Sequence, residues 1–141
     1  MIIKFACFLI VCGFPLLIYS QQRIIGDCNK VKYGTFYFYP ENVPDGFKII
    51  RENKVQIEIN LNTKDTTFWE ISWKDACEFR LKFIRKSRLI SVDEKIFYNS
   101  HVSVVKLLKV AERYYIFRGA LDSLNNKSAI IDTLWFRSRI N

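Results

Sequence analysis

Residues 68–83 read FWEISWKDACEFRLKF, and their alternation decides the fold. Trp69, Ile71 and Trp73 share one face of a first run. Cys77, Phe79, Leu81 and Phe83 share one face of a second, with Glu78, Arg80 and Lys82 opposite. Successive side chains of a strand point to opposite sides of a sheet, so this pattern is that of a hairpin with one buried face. Lys74, Asp75 and Ala76 form its link, without the glycine that the tightest turns favour.

Similar runs lie on both sides. Residues 35–39 are aromatic and end at Pro40, and residues 41–46 carry the turn chemistry of Pro44 and the Asp45-Gly46 pair. Residues 47–51 resume a strand. In residues 55–61 the alternation is strict, with Val55, Ile57, Ile59 and Leu61 on one side and Gln56, Glu58 and Asn60 on the other, which predicts a half-buried strand. Residues 85–100 show no sustained period and predict a loop with a short helix or strand around 96–98. Strands are expected again at 102–110 and 114–121, with a turn at 111–113. Residues 122–128 read as a polar loop. Residues 130–140 read as a last strand that is apolar on both faces. Seven to eight strands without a helical segment of any strength predict an all-β antiparallel meander. A small, lipocalin-like barrel or a strongly curved sheet would spare it two long exposed edges.

Before the strands stands a different kind of segment. Lys4 precedes an apolar run over residues 5–18, and Ser20 then precedes Gln21 and Gln22. This is the composition of a signal peptide ending near residue 20, and the run is short for a membrane span, which needs about 20 residues. An uncleaved anchor is the rival, since Ile18 is large for its place before the cut. Residues 21–141 then form one domain, exported to a periplasm or the extracellular space. Cys7 and Cys12 lie inside the apolar run and Cys28 well beyond it, so none suits lipid attachment. Cys28 and Cys77 remain, to be read as a disulfide of an oxidising compartment or as two buried thiols.

The net charge of +8 would suit an anionic envelope component rather than nucleic acid in an exported protein. Arg80, Lys82, Arg85, Lys86 and Arg88 form the one basic cluster that could serve as an anion-binding surface, or equally a solvated strand end. Dense aromatic residues allow a barrel lined for a small apolar ligand, or a filled core. Catalysis is poorly provided for. His101 is the single histidine, and its neighbours Ser100 and Ser103 show no sign of activation. One histidine and two cysteines do not make a zinc site, and no cofactor is expected. Glu70 and Glu78, with Glu58 on a neighbouring strand, could act as acid and base only if they converged in the barrel lumen; cross-strand charge pairing is the plainer expectation. Asn126-Lys127-Ser128 matches a glycosylation sequon, which has meaning only in a eukaryotic secretory pathway.

Cys28, then Gly34 and Phe36, then Arg51, Gln56 and Glu58, then Trp73, Asp75, Cys77 and Leu81 form an ordered set that resembles small exported proteins of the Bacteroidetes group. The resemblance covers residues 28–83. It implies a bacterial envelope or secreted setting and supports pairing Cys28 with Cys77, but it implies no activity. The sequence reading is thus a non-enzymatic binding or interaction module, with a small-ligand barrel and a carboxylate hydrolase as its alternatives.

Overall fold

A computed structural model describes residues 26–122 and 129–139. The expected signal segment and the Asn126 sequon lie outside them. Eight antiparallel strands close into one barrel in sequence order: β1 (Gly34–Phe38), β2 (Phe47–Glu52), β3 (Val55–Asn60), β4 (Thr66–Trp73), β5 (Glu78–Lys86), β6 (Ser103–Val110), β7 (Tyr114–Leu121) and β8 (Ile130–Trp135). The ring is sealed where Tyr37 and Phe38 of β1 pair with Trp135 and Leu134 of β8. Closure gives every strand a neighbour on both sides, which spares the meander two long exposed edges. Among the described residues no helix is long and apolar enough to cross a membrane.

The hairpin of β4 and β5 has the expected inner face. Ile71, Phe79 and Leu81 are buried, with Trp69, Trp73 and Cys77 packed against them. Its turn is held by the Asp75 carboxylate, which accepts from the Cys77 backbone N–H at 2.7 Å, so an Asx hydrogen bond does the work a glycine would otherwise do. Farther along, Trp69 pairs with Phe83 but Phe68 with Arg85. The extra residue, Ile84, is a bulge, and a bulge re-aims everything that follows it. Arg85 therefore turns outward over the Phe68 ring, 3.8 Å from its centroid, and Lys86 turns toward Tyr98.

β3 is a strand as its alternation predicts, but its polar face is the one that looks inward. Arg51 is paired with Gln56, Ile49 with Glu58 and Gln56 with Trp69, so Gln56 and Glu58 share the inner face with Ile49 and Trp69. The apolar side chains of β3 lie on the outer wall instead, in a row of Ile50, Ile57 and Phe68 across β2, β3 and β4. Period-two alternation defines two faces; neighbouring strands decide which one is inside.

One end of the barrel is plugged. The 3-10 helix Cys28–Val31 packs there, its start capped by the Asp27 carboxylate accepting from the Asn29 N–H at 2.9 Å. Cys28 and Val31 are buried, above a layer formed by Phe36, Leu107, Val110 and Tyr115. Gly26 has φ +107°, and a Cβ at that position would collide with the Val110 carbonyl. Only glycine lets the chain pass so close to the end of β6. The plug is tied to the β4–β5 turn by the Cys28–Cys77 disulfide, whose Cα atoms are 5.2 Å apart.

Two expectations need correcting. Of the two alternatives around 96–98 the structure has the helix, and it is longer than expected: β5 continues to Lys86, and α1 (Val92–Ser100) follows. The helix starts on a capping box, in which the Ser91 hydroxyl accepts from the Glu94 N–H and the Glu94 carboxylate from the Ser91 N–H, each at 3.1 Å. A Ser-x-x-Glu signal was therefore present in the sequence, obscured because no apolar stripe follows it; no residue of α1 is buried. β8 ends at Trp135 and is not a central strand apolar on both sides, since Ile130 and Ile131 are exposed and Leu134 alone is buried.

The disulfide spans 49 residues of sequence. Loop closure on that scale limits the unfolded chain and is worth about 4 kcal/mol in the chain-entropy treatment. Replacing both cysteines by serine is expected to lower unfolding stability by about 2–5 kcal/mol, read as a lower urea midpoint than that of the oxidised protein. An unchanged midpoint would show that the plug is held by packing alone.

Candidate functional site: a polar chain in a half-filled barrel

The plugged half of the barrel is solid. The other half holds a cavity of about 350 Å³. Its walls are mostly apolar, with Phe38, Phe47, Ile49, Leu81, Val105 and Phe117 among them, and Phe79 at its base. Ser103, Leu121 and Ile130 belong to strand ends far from the plug, so the cavity reaches the opposite end of the barrel.

Arg51, Gln56 and Glu58 interrupt this apolar lining. Arg51 and Gln56 are each only 3% exposed. The Arg51 guanidinium donates from Nη1 to the Val31 carbonyl at 2.9 Å and from Nε to Gln56 Oε1 at 2.6 Å. Gln56 in turn donates from Nε2 to Glu58 Oε1 at 2.8 Å. The guanidinium carbon lies 4.6, 5.0 and 5.5 Å from the ring centroids of Phe79, Phe36 and Tyr115. Ring quadrupoles attract a cation, and here three of them stand in for the water that burial has removed.

Glu58 ends the chain. Protein surrounds it on all sides, yet unlike its two partners it keeps accessible surface, and that surface faces the cavity. Burial raises its pKa above the ordinary value of 4.5, against the opposing pull of the Gln56 amide, the Trp69 indole, Arg51 and Lys86. The buried Trp69 indole N–H lies beside the carboxylate but completes no hydrogen bond of normal geometry. The Tyr115 hydroxyl is likewise buried without a completed bond. Desolvation pushes it above its ordinary value of 10.0, with the neighbouring Arg51 opposing.

The basic cluster read from the sequence divides three ways. Arg80 and Lys82 stand on the outer face of β5, opposite Ser72 and Glu70, and Arg85 covers Phe68 on the same face. Lys86 turns in and approaches the Tyr98 hydroxyl at 3.4 Å. Arg88 grips Glu94 through both terminal nitrogens, at 2.6 and 3.2 Å, which with the Ser91 backbone N–H lowers the Glu94 pKa to about 2. Glu70 and Glu78 do not converge. Glu70 faces Lys82, while Glu78 lies four residues before Lys82 on β5 and bridges to Lys74 at 2.9 Å. The His101 ring stacks on Phe97 and its Nδ1 bonds the Phe97 carbonyl at 2.7 Å, a local helix-end contact. Among the described residues no cluster of His, Cys, Asp and Glu could hold a metal.

No protein-family profile matches the chain, and no curated protein matches it in sequence. The site therefore rests on its geometry. The sequence reading weighed Glu58 only beside Glu70 and Glu78, and it gave Arg51 no role in a site. The available signal was an arginine at the end of the run 47–51 and a Gln-x-Glu pair on the next strand, and both look like ordinary solvated positions until register is known.

Two measurements test the polar chain. Glu58 binds its proton more tightly in the folded protein than in the unfolded chain. Its effect on stability therefore falls as pH rises from about 4.5 through the raised folded value. Glu58→Gln is expected to flatten that decline and raise stability toward the alkaline end, read from urea midpoints across the range; an identical slope in both proteins would contradict the assignment. Arg51→Met leaves the Val31 carbonyl and the Gln56 amide oxygen without their donor and is expected to cost about 3–5 kcal/mol. Arg51→Lys should restore little of this in the same denaturation assay, because one ammonium cannot reproduce the planar fork and the stacking.

Proposed function

We propose that this chain is an exported, non-enzymatic binding protein of the bacterial envelope whose barrel carries a small, mostly apolar molecule. The observation that carries the reading is the cavity of about 350 Å³, apolar along its walls and polar at one place. Ligand sites commonly measure roughly 300–1,000 Å³ and pair apolar surface with a few convergent polar groups. The volume is at the small end of that range and suits a medium-chain molecule or one of two to three aromatic rings.

The solid half supports the same reading. A plug held both by Cys28–Cys77 and by the Arg51 bond to Val31 keeps one end closed, so a ligand would enter a preformed pocket and little ordering would oppose binding. The disulfide suits an oxidising compartment, in keeping with the signal-like first twenty residues. Carboxylates that might have served hydrolysis, Glu70 and Glu78, stand apart on the outer wall, Glu70 opposite Lys82 and Glu78 bridged to Lys74.

A neutral apolar fluorophore such as N-phenyl-1-naphthylamine is expected to bind the oxidised protein with one-to-one stoichiometry. Val105→Phe narrows the wall and Ser103→Phe the far end, and each should weaken binding by about tenfold, with circular dichroism verifying that the barrel is intact. Unaltered affinity in both variants, or no binding by the parent protein, would defeat the reading.

A further inference from the structure

The hydrogen bonds inside the barrel run in one direction. Arg51 gives to Val31 and to Gln56, and Gln56 gives to Glu58. Arg51 and Gln56 each donate to the next member of the chain, and the last member is a carboxylate that in its ionised form can only accept. The groups beside Glu58, namely the Gln56 amide, the Trp69 indole and Lys86, are donors as well. What the polar chain presents to the cavity is thus an acceptor oxygen. We propose that the ligand bears a neutral hydrogen-bond donor, a hydroxyl of an aliphatic or phenolic alcohol, and delivers it to the Glu58 carboxylate. This rests on the cavity reading above and specifies its chemistry.

The obvious rival is an anionic head on Arg51, and the geometry disfavours it. Two of the guanidinium nitrogens are committed to Gln56 and Val31, three rings surround the group, and only 3% of the residue is exposed. A carboxylate approaching it through the cavity would meet Glu58, which shares that lining. An ammonium head would meet the positive charge that Arg51 and Lys86 already place around Glu58. Ser103 also lines the cavity, but it is the first residue of β6 at the far end, where water competes for its hydroxyl. A donor held by a buried acceptor discriminates strongly, since a ligand lacking it leaves the acceptor dry and unpaired.

Displacement of the bound fluorophore by three ligands of matched length tests the inference. Decanol donates, methyl nonyl ether only accepts, and decanoate is anionic. Decanol is expected to displace the fluorophore at about tenfold lower concentration than either of the others at neutral pH. In Glu58→Gln the new amide can donate as well as accept, so the ether should approach decanol to within about threefold, and in Glu58→Leu the preference should vanish. Ether or decanoate matching decanol on the parent protein, or an undiminished preference in Glu58→Gln, would overturn the donor assignment while leaving the cavity reading intact. Failure of all three to displace the fluorophore would overturn both.

Discussion

A buried guanidinium organises the interior of this barrel. Taking Arg51 out of water without compensation would cost far more than a small domain can bear. The protein compensates it by a backbone carbonyl of the plug, a side-chain amide of the adjacent strand and three aromatic rings. Each compensating group belongs to a different part of the chain: Val31 to the plug, Gln56 to β3, Phe36 to β1, Phe79 to β5 and Tyr115 to β7. Satisfying one cation thereby sets where five segments sit relative to β2. Such a buried group contributes more to uniqueness than to net stability, because an apolar replacement of the whole cluster would remove the desolvation cost too.

The same arrangement divides the barrel into a filled half and a hollow one. Below Arg51 the plug and the large side chains of Phe36, Leu107 and Tyr115 occupy the lumen fully. Above it the inner positions of β7 shrink to Gly119 and those of β6 to Val105 and Ser103, and space remains. The plug is anchored twice, by a covalent bond at its first residue and a charge-assisted hydrogen bond at its last. Rigidity at that end helps the other end keep its cavity, since interiors otherwise close on voids as far as their framework permits.

Strand existence was readable from the residues because period two is a local property. β7 matches its expected span of 114–121, the turn at 111–113 stands where polar Glu112 and Arg113 put it, and the 68–83 hairpin buries the face that its aromatic residues marked. The errors share a cause of the opposite kind. β3 was legible as a strand but its inner face was not, because Ile57 finds cover on the outer wall from Ile50 and Phe68, contacts made only after three strands assemble. Lys86 could not be separated from Arg85 because a bulge at Ile84 has no signature in a charged run. Helix α1 was legible only as a short helix or strand around 96–98, because its capping box precedes a segment that buries nothing and the usual apolar stripe is missing.

The amino-acid order by itself determined an all-β antiparallel meander, its turns and the two cysteines available for a bridge, since these follow from backbone preferences and from side-chain alternation along one strand at a time. Tertiary structure alone decided that the meander closes as a ring of eight, that Cys28 meets Cys77 and that half the lumen is hollow. It also decided that Arg51, Gln56 and Glu58 face one another inside that ring. The physical reason is that inside and outside are not properties of a strand. They arise when neighbouring strands fix the register and twist that close the sheet, and only then does a polar face that would suit solvent become the lining of a cavity.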